Sequence, residues 1–510
     1  MKPPRALQVV AVLLAFATGG CGRTDASTPT EDSPGREAGE ESAETGSLPQ
    51  PPDLSQHPFP LLIWAAFEVE QDYFDKQRLD PRAQLVAATA ALGLHMPEFF
   101  AEASGDTLQV RVRSAKAEFA LGDVTTLVGA ATRLEEVLGY ADSVLDLEPA
   151  QRHELEYAAI NGLFGPLDPH TVLLTPEQHA DLGVRTKGEF GGVGAQIRSE
   201  ARRIVIISVM PEMPAAKAGV MPGDVVLTID GESTVNMSAE EAQQKLRGPV
   251  GTPVMLRLQR ARKQLSLKVD RDTIRIESVR AVRLPDDVAY LAVAAFQEST
   301  AAEARTALTK LGTGVRAVVL DLRGNSGGVL TQATEMIDDY VAKGELVVVR
   351  SAEGDEVFEA EPPVVIDERA PVVVLLDENA ASAAEIVGGG LQALGRAVVL
   401  GRTSFGKGTV QMVRAAAPYK QELALKLTLA EWLVAGGRHI QSAGVVPDLV
   451  LQPVELSNVA GVVRFYDEER FERARERSRA SHLPSAKYDI GKDLGQAAEQ
   501  AALHLRYLAA

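Results

Sequence analysis

The 510-residue chain has a single cysteine, no HExxH motif and no excess of positive charge, and its N-terminal apolar run stops at 12 residues. Each shortage removes a class of function. One cysteine excludes a disulfide framework and any zinc site built from several thiolates. Without HExxH, nothing in the sequence supports metal catalysis, and no motif asks for a cofactor. A formal net charge of −18 argues against nucleic acid as a partner, because a phosphate-binding face needs a basic stripe and the Lys and Arg here are scattered. A hydrophobic content of 45% excludes a disordered chain and suffices for two or three domains, each with its own core.

The cysteine, Cys21, is placed informatively. MKPPR supplies a positive start, ALQVVAVLLAFA the apolar run, and TGG small residues just before Cys21. The run is too short for an ordinary transmembrane helix. It reads as an export signal, and Cys21 resembles a bacterial lipoprotein cleavage site whose thiol becomes the lipid attachment point. Thr18 stands where such signals usually carry an aliphatic residue, so a simple signal peptide cut nearby is the alternative. The expectation is export to the periplasm or cell envelope, with a membrane anchor on Cys21 and residues 1–21 as signal. Residues 22–58, rich in Ser, Thr, Glu, Gly and Pro, bury too little surface to offset their ordering entropy and read as a flexible tether.

From 59 to 186 the pattern is helical. Ile63, Ala66 and Phe67 share a face with Phe74, and Leu127, Ala130, Ala131, Leu134 and Leu138 follow helical spacing after Asp123 as N-cap. TLQVRVR at 107–113 alternates like a strand or hairpin arm. Asp168 and His170 invite a Ser/His/Asp triad, but Asp-Pro-His is ordinary turn chemistry. Between 187 and 271, a glycine-rich loop leads into short strands and two short helices. From 272 to 455, Val- and Leu-rich strands, ELVVVR, PVVVLL and RAVVLG among them, alternate with amphipathic helices, which predicts a largely parallel sheet covered on both faces. TVQMVRA and LALKLTLAEWLV read as strands that turn back over it. The mixed charges of DEERFERARERSR predict a solvated helix within a C-terminal extension, 456–510.

Three motifs compete for Lys407. Gly401 to Lys407 fits GxxxxGK, but Gly408 replaces the Ser or Thr that should follow, and a strand rather than a helix comes next. Ser404 and Lys407 fit Ser-x-x-Lys, which needs a helix that Gly406 and Gly408 oppose. The third pairs Lys407 with Ser382, at a helix start after the strand PVVVLL, where active sites of open α/β sheets gather. Ser382 and Glu385 also fit the capping box S-x-x-E, and a cap needs no catalytic role.

Two resemblances bear on this choice. KGEFGGVGAQI, PAAKAGVMPGDVVLTIDG and the strands around them resemble a PDZ domain. In that family the backbone N–H groups of such a loop, here Phe190, Gly191, Gly192, Val193 and Gly194, hold a peptide's terminal carboxylate while the peptide adds to a sheet edge. SAAEIVGGGLQ and FGKGTVQ, with YLAVAAFQEST, VVLDLRGNSGG, LDPHTVLLTPEQ and GRHIQSAGVVPDL in the family's order, resemble the carboxyl-terminal processing (tail-specific) serine proteases over 150–452. That resemblance implies an α/β protease core with βαβ units, a PDZ domain and an N-terminal helical region. It makes Ser382 the nucleophile, Lys407 the general base and Gln411 the amide that orients the lysine. Oxyanion donors would be the N–H of Ala383 and one from the Gly327 and Gly328 pair. A lysine accepts the serine proton only when neutral, a form that apolar surroundings favour. Ala380, Ala384, Ser326 and Thr171 depart from residues common in the family, without touching the trio. Region 59–150 matches loosely, which leaves a homo-oligomer or an adaptor protein open as partners. The resemblance further implies that tail binding at the PDZ domain gates the site. The competing reading is a catalytically silent tail-binding scaffold of the same fold.

Overall fold

Burial of the predicted apolar faces builds two compact units, Met1–Leu173 with Gln411–Leu429 and Leu174–Val410 with Ala430–Ala510. The computed structural model describes residues 52–416 and 423–451, with the short strands Val454–Leu456 and Val463–Phe465 after them. Cys21, most of the tether and most of the C-terminal extension lie outside the described residues. Of segment 22–58, residues 52–58 are described: Leu54–Gln56 is a 3-10 turn, and His57 Nδ1 lies 2.8 Å from Glu135 Oε2.

Among its described residues the first unit holds four α-helices, α1 (Pro60–Asp72), α2 (Pro81–His95), α3 (Leu127–Leu145) and α4 (Pro149–Phe164). Between α2 and α3 runs an antiparallel meander, β1 (Phe99–Ser104), β2 (Thr107–Val112) and β3 (Ala115–Ala120), so the predicted arm at 107–113 is the middle strand of three. Leu61 to Ala66 of α1 are all buried, a helix enclosed nearly all round rather than lying on a surface. Its N-terminal N–H groups therefore cannot use water, and those of Leu61 and Leu62 both donate to Glu156 Oε1 of α4 at 3.1 Å. The cap of α3 differs from the expected one. Thr126 caps it, accepting from Gly129 N–H at 3.0 Å, while Asp123 pairs with Arg133 at 2.8 Å. Asp123 stands one turn too early to reach the orphan N–H groups.

In the second unit the helix Pro176–Lys187 leads into a PDZ-like sheet. β4 (Glu189–Gly192) is followed by β5 (Ala195–Glu200), β6 (Arg203–Val209), β7 (Val225–Ile229), α5 (Ala239–Leu246), β8 (Pro253–Arg260) and β9 (Lys263–Asp270). The sheet order is β9-β8-β7-β6-β5, leaving β5 at an edge, while β4 pairs antiparallel with β10 (Asp272–Arg275). Ile204, Val226, Leu256 and Leu258 fill its core with Ala242 and Leu246 of α5.

The core sheet contains β11 (Val279–Leu284), β12 (Val288–Val293), β13 (Ala317–Asp321), β16 (Val372–Leu376), β17 (Val398–Gly401) and β19 (Leu449–Val450), in the order β11-β12-β13-β16-β17-β19. All pairs are parallel except β11–β12. Helices α6 (Thr300–Leu311), α7 (Leu330–Asp338) and α8 (Ala383–Ala393) make the crossovers. ELVVVR departs from expectation. It is β14 (Glu345–Ser351), forming a hairpin with β15 (Gly354–Glu359) and pairing antiparallel with the last part of β18 (Ala424–Val434). A short turn back to β15 permits only antiparallel pairing, which apolarity alone does not reveal.

Candidate active site

Three adjacent parallel strands, β13, β16 and β17, end on the same side of the sheet, so the loops that follow them meet there. β13 delivers Arg323 to Gly328, β16 delivers Ser382 and α8, and β17 delivers Arg402 to Gly408. The strand order thus gathers Gly327, Ser382 and Lys407 from three separate stretches of chain.

Ser382 is the N-cap of α8 and has φ 55° and ψ −117°, a positive-φ backbone costly for a residue with a β-carbon. The RGNSGG loop is pressed against it. A β-carbon on Gly327, whose φ is +98°, would lie 2.8 Å from Ser382 Cβ and 3.0 Å from Ala383 N, so glycine is required for this approach. Buried Asn325 fixes the loop: its Nδ2 donates to Val293 O, its Oδ1 accepts from Gly327 N–H at 2.8 Å, and its main-chain oxygen accepts from Ala381 N–H at 2.9 Å. The Gly327 N–H is therefore spent. The N–H groups of Gly328 and Ala383 have no hydrogen-bond partner among the described residues, and Gly328 is exposed.

Glu385 joins the loops. Its carboxylate is 0% exposed and accepts from Ser382 N–H at 2.7 Å, Lys407 N–H at 2.8 Å, Gly406 N–H at 2.6 Å and the Ser404 hydroxyl at 2.5 Å. Burial pushes this carboxyl up to about 7, against the downward pull of those hydrogen bonds. The capping-box pattern is present, yet the Ser382 side chain makes no cap hydrogen bond of ordinary geometry; Glu385 N–H instead donates to Ser382 O at 2.8 Å. Lys407 itself is half-buried.

Gln411 belongs to the first unit. Its Nε2 donates to Thr428 Oγ1 at 3.3 Å, and Thr428 in turn donates to Asp168 Oδ1 at 3.3 Å. Asp168 is held by the N–H groups of His170 and Thr171 at 2.7 and 2.9 Å and by the Thr171 hydroxyl at 2.7 Å, the turn chemistry expected of Asp-Pro-His.

In the PDZ-like sheet, the candidate loop leaves β4 and enters edge strand β5. Phe190 pairs with Ile274 and Gly191 with Thr273, Val193 is buried, and Gly194 takes φ +74°. Val193 O accepts from Ala215 N–H and Gly194 O from Met210 N–H, so both carbonyls are engaged, and the N–H groups of Val193 and Gly194 have no partner among the described residues. Helix α5 flanks β5. The Phe190 ring carries the Arg247 guanidinium 4.5 Å above its centroid.

A family model described as peptidase family S41 matches residues 287–451, and a PDZ domain model matches 205–260. The carboxy-terminal-processing protease of Bartonella bacilliformis is 38% identical over 303 residues, which cover 58% of this chain and 69% of that protein. The chain belongs to peptidase family S41, the carboxy-terminal processing serine proteases. Carboxy-terminal processing protease CtpA of Bacillus subtilis is 35% identical over 57% of this chain and 62% of its own length. Among solved structures, the photosystem II D1 C-terminal processing protease is similar at 25% identity, with a TM-score of 0.41 over 77% of this chain and 92% of that one.

For this S41 chain the rival motifs of Lys407 lose their structural basis. No helix runs through 404–407, and buried Ser404 is committed to Glu385 and to Val445 N–H, so the Ser-x-x-Lys pairing fails. A strand, Thr409–Ala415, follows Lys407 where a phosphate loop needs a helix. Sequence reasoning took Glu385 only as a cap and overlooked Asn325 and Thr428. The apolar surroundings of Glu385, AAEIVGGG, were the available signal that this carboxylate is buried.

Proposed function

We propose that this chain is a serine endopeptidase with a Ser382/Lys407 dyad that binds the C-terminal tails of proteins through its PDZ domain and cuts upstream of them. The observation that carries the reading is the junction of three strand ends, where Ser382 and the Lys407 backbone share one buried carboxylate and the Gly327–Gly328 loop lies against the serine. Neutral Lys407 takes the Ser382 proton as Oγ attacks the scissile carbonyl carbon. The oxyanion then forms facing the N–H groups of Ala383 and Gly328, Gly327 serving the close approach instead. Collapse breaks the C–N bond, the lysine's proton goes to the leaving amine, and the tail departs. Water deprotonated by Lys407 hydrolyses the ester. Gln411, its amide steadied by Thr428, is assigned the task of orienting the lysine. The PDZ loop 190–194 receives the tail carboxylate while the tail adds to edge strand β5. The enzyme works in the cell envelope, anchored through Cys21.

The test is to incubate the purified protein with an unfolded substrate ending in an apolar tail, beside Ser382→Ala and Lys407→Ala. Cleavage that is lost in both variants supports the dyad; cleavage that survives both overturns it. Absence of cleavage by the wild-type protein favours the scaffold reading. The anchor is tested separately: Cys21→Ala should move the protein from the membrane fraction to the soluble one.

A further inference from the structure

A capping-box side chain needs a single acceptor and can stand in water. Gln151, at the equivalent place on α4, does just this, accepting from Glu148 N–H at 3.0 Å in an exposed contact. Glu385 is built differently. It is fully buried, and its four donors sort by oxygen: Oε1 takes the Ser404 hydroxyl and Gly406 N–H, and Oε2 takes the N–H groups of both Ser382 and Lys407. One oxygen atom therefore carries the main chain of the nucleophile and of the lysine together.

The segment after β17 needs such a support. Residues 402–408 form neither helix nor strand, and their other main-chain hydrogen bonds include Arg402 N–H to Leu376 O, Ser404 N–H to Val445 O, Phe405 N–H to Ala380 O, Gly408 N–H to Gln441 Oε1, and those that Gly406 O and Gly408 O accept from Ser442 and Trp432 N–H. None of these reaches Ser382. On the other side, the positive-φ backbone of Ser382 is held at its N–H by Glu385.

We propose that Glu385 is a positioning residue for the reaction, a buried carboxylate that sets the separation of Ser382 and Lys407 and holds the serine backbone in its positive-φ conformation. This rests on the Ser/Lys reading above. Only a carboxylate suits the place, because all four partners donate and both oxygens must accept. An amide would turn an NH2 group toward N–H donors on one side, and aspartate is one methylene too short to hold the helix start and the lysine loop at once.

The experiment compares full-length wild type with Glu385→Gln, Glu385→Asp, Ser404→Ala and, as a cap-only control, Gln151→Ala. Each is assayed for kcat and KM on one unfolded substrate, for the rate of Ser382 labelling by a fluorophosphonate probe, and for Tm. Glu385→Gln and Glu385→Asp should lower kcat on the order of 100-fold while KM changes little, since displacing a reacting group by an ångström costs about that much. Labelling should fall in parallel at temperatures well below Tm, and Gln151→Ala should keep both rates. Should the Glu385 variants fail to fold, Ser404→Ala, which removes one Oε1 donor and leaves the helix start capped, should still lower kcat by about 5- to 10-fold. A kcat within threefold of wild type in the folded Glu385 variants, or in Ser404→Ala when those do not fold, would overturn the proposal. If the probe labels Ser382 in wild type and in the variants equally, only this proposal fails. If Ser382→Ala still cleaves, the Ser/Lys reading fails first.

Discussion

At the scale of single residues, the site depends on backbone that ordinary side chains resist. Ser382 holds φ 55° and ψ −117°, a conformation that costs a residue with a β-carbon about 1–3 kcal/mol and persists only where surrounding contacts impose it. Glycine at 327 is the complement, since nothing larger allows the neighbouring loop to approach the serine. Gly327→Ala would drive a methyl group into Ser382 Cβ and Ala381 O from a φ of +98°. Turnover of that variant should fall on the order of 100-fold with the fold retained, as kinetics beside a thermal melt will show. These residues were readable in very different degrees. Ser382, Lys407 and the glycines were visible as a family pattern. The assignment of Gly327 N–H to Asn325 was not, because it depends on a side chain folding back onto its own loop.

At the scale of elements, helix ends carry much of the electrostatics. Thr126 caps α3 through Gly129 N–H, so Thr126→Ala should lower stability by about 1 kcal/mol in a denaturant titration. Asp123→Ala, which removes only an exposed pairing with Arg133, should leave the transition nearly unchanged. Glu156 serves α1 in a costlier way. Burial pushes its carboxyl up to about 7 despite the N–H groups of Leu61 and Leu62. Its ordinary value in the unfolded chain is near 4.5, so the folded state binds the proton more tightly. The contribution is full below pH 4.5 and is lost as pH rises through 7, amounting to about 3 kcal/mol at most. Glu156→Gln keeps one oxygen for both N–H groups and removes the titration. The fall in stability between pH 5 and 8 should flatten in that variant, as urea melts across the range will record. Sequence periodicity located α1 and α3 but not the Glu156 cap of α1, because a cap drawn from another helix leaves no local pattern.

At the scale of the whole molecule, the proposed chemistry and the proposed recognition belong to different sheets. The parallel core carries Ser382 and Lys407, and the antiparallel PDZ-like sheet has β5 at its edge, preceded by Val193 and Gly194, whose N–H groups have no partner among the described residues. If the tail is read at its carboxylate, a substrate with an amidated C-terminus should show a KM raised about tenfold or more, with kcat less affected, in a direct comparison with the free acid. Equal KM values would remove the loop 190–194 from substrate binding.

From sequence by itself, apolar periodicity and turn residues led to the expectation of helices early in the chain and of Val- and Leu-rich strands with covering helices later, while the motifs around Ser382 and Lys407 carried the resemblance to a family. Such features are local, and one stretch of chain records them. Tertiary structure alone decided which loops meet at the ends of β13, β16 and β17, that ELVVVR joins an antiparallel sheet, and that Glu385, read as a helix cap, holds the main-chain N–H groups of Ser382 and Lys407 on one oxygen. Strand order and the burial of a carboxylate are properties of distant segments brought together, and no single stretch contains them.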